Sequence, residues 1–166
     1  MQSPNQQPKF TTRQATDGDV PQIFRLLAFY AVRQIVLPRS EADIRYYLGN
    51  FTVCMTPEGE LAGCVAVRDF GNGLFEVRSL AVKQDYQNMG VGKMLLKAAM
   101  ESLEKRVKRF KLFALTYQTG FFLAAGFIRV DKTMFPEKIW SDCMLCPKQE
   151  HCDEEAVLFD YDAKLA

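Results

Sequence analysis

Apolar and polar positions along this chain follow two different periods, and the changes of period mark out its elements. Phe10 to Ala15, "FTTRQA", reads as a short strand. In "DVPQIFRLLAFYAV" the apolar residues Ile23, Leu26, Leu27 and Tyr30 fall on one helical face, with Asp19 where a cap belongs and Pro21 in the first turn. Leu37-Pro38-Arg39 breaks that helix. "SEADIRYYLGN" begins another on a Ser40-to-Asp43 capping pattern and ends it at Gly49-Asn50. The segments "FTVCM", "LAGCVAVRDF" and "LFEVRSLAV", separated by "TPEGE" and "GNG", predict an antiparallel meander. "GVGKMLLKAAMESLEKRV" is the longest helical pattern, with Val91, Leu95, Ala98, Ala99 and Leu103 as its apolar stripe. "FKLFAL" reads as a buried strand, "TGFFLAAGF" as a short helix closed by Gly126, and "FIRV" as another strand. The mixed tail from Asp131 to Ala166 adds a strand near Glu155 to Phe159.

Composition narrows the class. A chain of 166 residues with 48% hydrophobic and 25% charged residues suits one globular domain with a sizeable core. The net charge of +1 argues against nucleic acid or an anionic membrane as partner, so function belongs in a local pocket. "MQSPNQQP" has no apolar core of a secretory signal, and residues 1–9 are expected to form a flexible tail ahead of a single domain, 10–166. No apolar run reaches the roughly 18 residues that span a bilayer. The five cysteines, at positions 54, 64, 143, 146 and 152, give no disulfide framework and point to a cytoplasmic protein with reduced thiols.

The chemistry starts at "YQNMGVGKML", Tyr86 to Leu95. Gly90 and Gly92 remove side chains where the long helix begins, and the first amides of a helix have no intrahelical partner and face outward at its positive end. Pyrophosphate is the usual occupant of such a place. The pattern is neither GxxxxGK[ST] nor the three-glycine dinucleotide fingerprint. On spacing alone, glycines that merely cap and pack the helix explain it as well.

The flanks are more specific. "EVRSLAVKQDYQNMGVGKMLL" resembles the acetyl-CoA-binding core of the GNAT acetyltransferase superfamily, with the strand triplet Leu80-Ala81-Val82 and the loop Gln87-Asn88-Met89-Gly90-Val91-Gly92. The resemblance implies an α/β GNAT fold, a central mixed β-sheet splayed between its fourth and fifth strands with flanking helices. It implies that amides from Asn88 to Gly92 cradle the coenzyme A pyrophosphate and that backbone groups of Leu80 and Val82 pair with the pantetheine arm like an added strand. An amide there would stabilise the oxyanion at the thioester carbonyl. Lys93, in the first helical turn, would reach a phosphate or simply be solvated.

Acetyl transfer to an amine needs a proton acceptor. Glu76 stands four residues before Leu80, where many members of the superfamily place a glutamate base; the alternative is an internal ion pair with Arg78. With period 2, Glu76, Arg78 and Leu80 share a face unless a bulge intervenes. Many relatives carry a tyrosine four residues before the Gly-Phe pair, to protonate the departing thiolate. Here that position is Phe122, before Gly126-Phe127, so Tyr117 is the substitute or the thiolate leaves unassisted.

Four stretches, "LPRSEADI", "EVRSLAV", "FALTYQTGFF" and "FPEKIWSDCMLCPKQEHCDEEAV", together resemble the short single-domain N-acetylglutamate synthases of bacteria. That likeness implies L-glutamate as acceptor, the first step of arginine biosynthesis. Its two carboxylates need cations, with Arg39, Arg78 and Lys138 as candidates and Trp140 as a pocket wall. Other amino acids or small amines, and a non-catalytic acyl-CoA sensor, stay open as alternatives; a homodimer is compatible with either. In the tail, Cys143, Cys146 and Cys152 follow a C-x2-C-x5-C spacing that suggests zinc, but the fourth ligand would have to be His151, adjacent to Cys152. No metal is expected, and acetyl-CoA is the co-substrate.

Overall fold

A computed structural model describes residues 9–135 and 154–164. In chain order the elements are β1 (Thr11–Gln14), α1 (Val20–Ala31), α2 (Glu41–Tyr46), β2 (Phe51–Met55), β3 (Leu61–Gly71), β4 (Leu74–Val82), α3 (Val91–Arg106), β5 (Arg109–Thr116), α4 (Thr119–Ala124), β6 (Ile128–Val130) and β7 (Glu155–Asp162). This is the expected mixed α/β succession, and the strand order is β1-β2-β3-β4-β5-β7-β6. Among the described residues no helix is long and apolar enough to cross a membrane.

The chain divides into two compact units. The first runs to Val67 and takes in Arg78–Ser102. Within it β1 lies antiparallel to β2, Thr11 facing Met55, and β2 antiparallel to β3, Phe51 facing Ala66. Helix α1 buries the predicted stripe Ile23, Leu26, Leu27 and Tyr30, and Val20 with it, in a cluster that includes Ile44, Phe51 and Val53. Asp19 is not the side-chain cap of α1. Its carboxylate reaches back to the Thr16 amide at 2.8 Å and takes the Arg13 guanidinium at 2.7 and 3.0 Å, which holds it below the usual carboxylate range. Ser40 does cap α2, accepting the Asp43 N–H at 3.0 Å. Helix α3 buries Val91, Leu95, Leu96, Ala99 and Leu103, so Leu96 replaces the expected Ala98 in its stripe. Gly63 on β3 makes room for it. A Cβ there would stand 2.8 Å from the Ala81 carbonyl oxygen, 3.0 Å from Leu95 Cδ1 and 3.1 Å from Val91 Cγ1.

The second unit comprises Arg68–Val77 and the chain from Leu103 on. Asn72 and Gly73 link β3 to β4 with φ of +55° and +77°, the left-handed pair of a tight two-residue hairpin turn. Strand β4 runs parallel to β5 over three registers, from Leu74–Lys111 to Glu76–Phe113. The three registers use Leu74–Glu76 of a β4 that runs on to Val82. β5 then pairs antiparallel with β7 over eight registers, and β6 with β7 over three. Aromatic rings fill this unit. Phe110 packs on Phe75 at 6.2 Å and Tyr161 at 5.0 Å, Phe113 stacks on Phe135 at 4.0 Å, and Phe127 bridges Phe122 and Phe159 at 5.2 and 5.6 Å.

Candidate active site

The first unit carries the glycine loop. β4 approaches it through Ser79, whose φ of +55° is foreign to a strand and costs a non-glycine residue about 1–2 kcal/mol. The distortion interrupts the strand alternation between Arg78 and Leu80. Two groups meet the bulge: the Cys64 thiol donates to the Ser79 carbonyl at 3.4 Å, and Arg39 Nη1 approaches Ser79 Oγ at 3.4 Å. Beyond it Leu80 is half-buried, Ala81 buried and Val82 half-buried. The Val82 carbonyl accepts a hydrogen bond from Tyr30 Oη at 2.5 Å.

From Gln87 to Lys93 the backbone turns into α3. Asn88 and Gly90 take φ of +63° and +81°. The Met94 N–H donates to the Gly90 carbonyl at 3.0 Å, closing the first helical turn. The amides of Val91, Gly92 and Lys93 precede that bond and have no acceptor within the helix. Gly90 takes the left-handed φ that suits glycine, and among the described residues nothing lies within 4 Å of where its Cβ would be. Met89 and Lys93 are exposed, and Gly92 is half-buried. Amides at a helix start, led in by a glycine, fit a diphosphate.

The connector between Val82 and Gln87 is held from outside. The Lys83 amide donates to the Ala62 carbonyl at 2.8 Å. Glu60 accepts from the Lys83 ammonium and, at 2.6 Å, from the Tyr86 hydroxyl. The Lys83 hydrogen bond, then that of Tyr86, holds the Glu60 carboxyl below its usual range. The same contacts with Glu60 raise Lys83 and push Tyr86 up to about 12. Gln87 donates through Nε2 to Tyr30 Oη at 2.7 Å. A cavity of about 360 Å³ opens beside this connector, between Gln22, Arg25 and Phe29 of α1 and Lys83 and Asp85; its lining includes none of the candidate catalytic or binding residues named from the sequence.

Arg39, a candidate cation, has a side chain 9% exposed. It is also already committed. Nε holds Asp43 Oδ2 at 2.6 Å, and the guanidinium lies 4.9 Å from the centre of the Phe51 ring. Arg78 is half-buried. Cys64 is fully buried, which pushes its thiol up to about 12 against the opposing charge of Arg39.

In the second unit Glu76 is buried, 2% exposed, on the stretch of β4 that pairs with β5. No hydrogen bond reaches its Oε1 among the described residues, while the side chain has interactions of its own. Tyr117 follows β5 in a turn and is 37% exposed. Phe122 is buried against Phe121 and Phe127 in an apolar contact. Lys138, Trp140 and the group Cys143, Cys146, His151 and Cys152 lie outside the described residues. Sequence reasoning missed Tyr30, Glu60, Lys83 and Tyr86. Tyr30 is visible in the sequence as one more member of an apolar stripe, and nothing local marks its hydroxyl.

Comparison with known proteins gives the family. Residues 48–129 match the model of the acetyltransferase (GNAT) domain. An uncharacterized N-acetyltransferase of Chlorobaculum tepidum is 36% identical over 146 residues, covering 88% of this chain and 93% of that protein. An amino-acid acetyltransferase of Mycobacterium tuberculosis is 26% identical over 132 residues, 78% of this chain and 75% of its own. Among solved structures, N-acetylglutamate synthase of Neisseria gonorrhoeae, complexed with coenzyme A and N-acetyl-glutamate, superposes with a TM-score of 0.77 at 25% identity, over 93% of this chain and 36% of the larger one. The chain belongs to the GNAT family of N-acetyltransferases and is an acetyl-CoA-dependent enzyme.

Proposed function

We propose that this enzyme acetylates the α-amine of an amino acid, and that the acceptor is L-glutamate. The observation that carries the catalytic reading is Glu76, a carboxylate buried in a strand. Burial of an acidic side chain is rare without a task. Its carboxylate removes a proton from the acceptor's ammonium group. The free amine attacks the thioester carbonyl of acetyl-CoA directly in a ternary complex, and a new C–N bond replaces the C–S bond. The nitrogen's second proton passes to solvent as the tetrahedral adduct collapses, and the coenzyme A thiolate leaves, taking a proton from Tyr117, which solvent reprotonates, or from solvent directly. The amides of residues 88–92 hold the pyrophosphate, with Lys93 beside them, and the backbone of Leu80–Val82 lines up the pantetheine. We assign this work to residues 10–166 as a single domain and place it in the cytoplasm, in keeping with the free cysteines Cys54 and Cys64.

Glutamate is supported by the amino-acid acetyltransferases and the N-acetylglutamate synthase that the chain resembles. Arg39, Arg78 and Lys138 are the carboxylate receptors of this reading, with Trp140 as a wall. A broader amino-acid preference is the second reading, and the Arg39–Asp43 ion pair favours it, because a guanidinium already paired at 2.6 Å offers less to a substrate carboxylate. The test runs glutamate, glutamine and aspartate at one pH with saturating acetyl-CoA. The glutamate reading expects the highest kcat/KM for glutamate, since glutamine leaves a cation unpaired and aspartate is one methylene short. Equal or better use of glutamine hands the site to the second reading.

A further inference from the structure

We infer that Tyr30 is a positioning residue for acetyl-CoA, through one hydroxyl that ties the end of the pantetheine-pairing strand to the start of the phosphate loop. The inference rests on the reading of that loop given under Proposed function. Tyr30 is 9% exposed on α1, its ring edge-on to Phe29 at 5.0 Å. Its Oη donates to the Val82 carbonyl at 2.5 Å and accepts from Gln87 Nε2 at 2.7 Å. Val82 is the last residue of β4, and Gln87 immediately precedes Asn88, where φ first turns positive. One oxygen therefore fixes the two ends of a connector whose middle is held separately by Glu60, through Lys83 and Tyr86.

The geometry has a consequence for binding. A ligand that pairs with the strand end and also places a diphosphate on the loop amides must match the spacing between those two places. A connector free to flex would pay that ordering cost at each binding event; a braced one has it removed in advance. Burial makes the brace effective, since a hydroxyl shielded from water keeps both partners rather than exchanging them with solvent. The phenol ring itself only packs, so its packing and its hydrogen bonds can be separated by removing a single oxygen.

The experiment compares the full-length wild type with Tyr30→Phe, Gln87→Ala, the double variant and Gly90→Val. Acetyl-CoA titration calorimetry, steady-state kinetics and thermal melts are the readouts. Tyr30→Phe is expected to raise both Kd and KM for acetyl-CoA about tenfold, the value of the two hydrogen bonds lost. KM for the amino-acid acceptor stays unchanged. The double variant binds no worse than Tyr30→Phe, because both changes break one network. Gln87→Ala keeps the inference testable should Tyr30→Phe fold poorly, since it removes the same brace from its other side. If Gly90→Val weakens acetyl-CoA binding while Tyr30→Phe and Gln87→Ala do not, the inference fails and the loop reading stands. If Gly90→Val leaves affinity unchanged, the loop reading fails and takes the inference with it. A Tyr30→Phe variant that shifts both substrates equally, or adds fully to Gln87→Ala, has only a general structural defect and overturns the assignment.

Discussion

Two regions of this enzyme, the end of β4 in the first unit and the ring cluster of the second, are held by different kinds of force. Around the end of β4 in the first unit, directional contacts dominate: Tyr30 with Val82 and Gln87, Glu60 with Lys83 and Tyr86, and Arg39 with Asp43. In the second, rings dominate, with Phe75, Phe110, Phe113, Phe122, Phe127, Phe135, Phe159 and Tyr161 in mutual contact across β4, β5, α4 and β7. Hydrogen bonds fix atoms to within tenths of an ångström, which suits backbone groups that must meet a ligand. Apolar packing has little directionality and large summed energy, which suits a scaffold. Glu76 crosses that division, a buried carboxylate in the half built from rings.

The largest expected effect probes that exception. Glu76→Gln keeps the shape and removes the proton acceptor, so turnover should fall by roughly 10²–10⁴-fold with acetyl-CoA binding nearly unchanged, and the deficit should shrink as pH rises and free amine accumulates. Wild-type turnover at pH 7 would make Glu76 one more piece of scaffold. Next in size is the loss of a ring. Phe110 is 1% exposed and touches Phe75, Phe159 and Tyr161, so Phe110→Ala should cost about 3–5 kcal/mol in chemical denaturation. A cost below about 1 kcal/mol would mean that the second unit does not depend on its rings as described.

The smallest effect concerns the polar contacts at the end of β4. The Glu60 carboxyl is held below its usual value by Lys83 and Tyr86, so its contribution is complete above the ordinary glutamate range near pH 4.3 and is lost as pH falls through the depressed folded value. Wild type should therefore melt slightly above Glu60→Gln at neutral pH, and the gap should close as pH falls below the ordinary glutamate range. A gap independent of pH would show that the carboxylate's charge does no work in the clamp.

Element by element, much of this fold is legible in the sequence, because its cues are local. Asn72-Gly73 specifies its turn, Ser40 its cap and Gly126, at φ +98°, the end of α4. The glycine loop is legible for the same reason, since Gly90 states a backbone requirement in its own identity. What escapes is long-range. The Ser79 bulge has no sequence signature, because serine disfavours that conformation and is held there by its surroundings. Tyr30 bonds a carbonyl 52 residues away, so its hydroxyl is invisible to any window that sees only its helix. Asp19 looks like a cap because the competing partner, Arg13, lies on a strand whose placement depends on the fold.

Gly63 adds a historical consequence. With a would-be Cβ 2.8 Å from a backbone oxygen and 3.0–3.1 Å from two side chains of α3, the position admits no other residue unless helix and strand move apart. Moving them would displace the amides of Val91, Gly92 and Lys93. Drift at Gly63 is therefore tied to drift at Val91 and Leu95, and a lineage can change this corner in concert or leave it alone. The pace of divergence around the cofactor loop would be set by a site on β3 that touches no substrate.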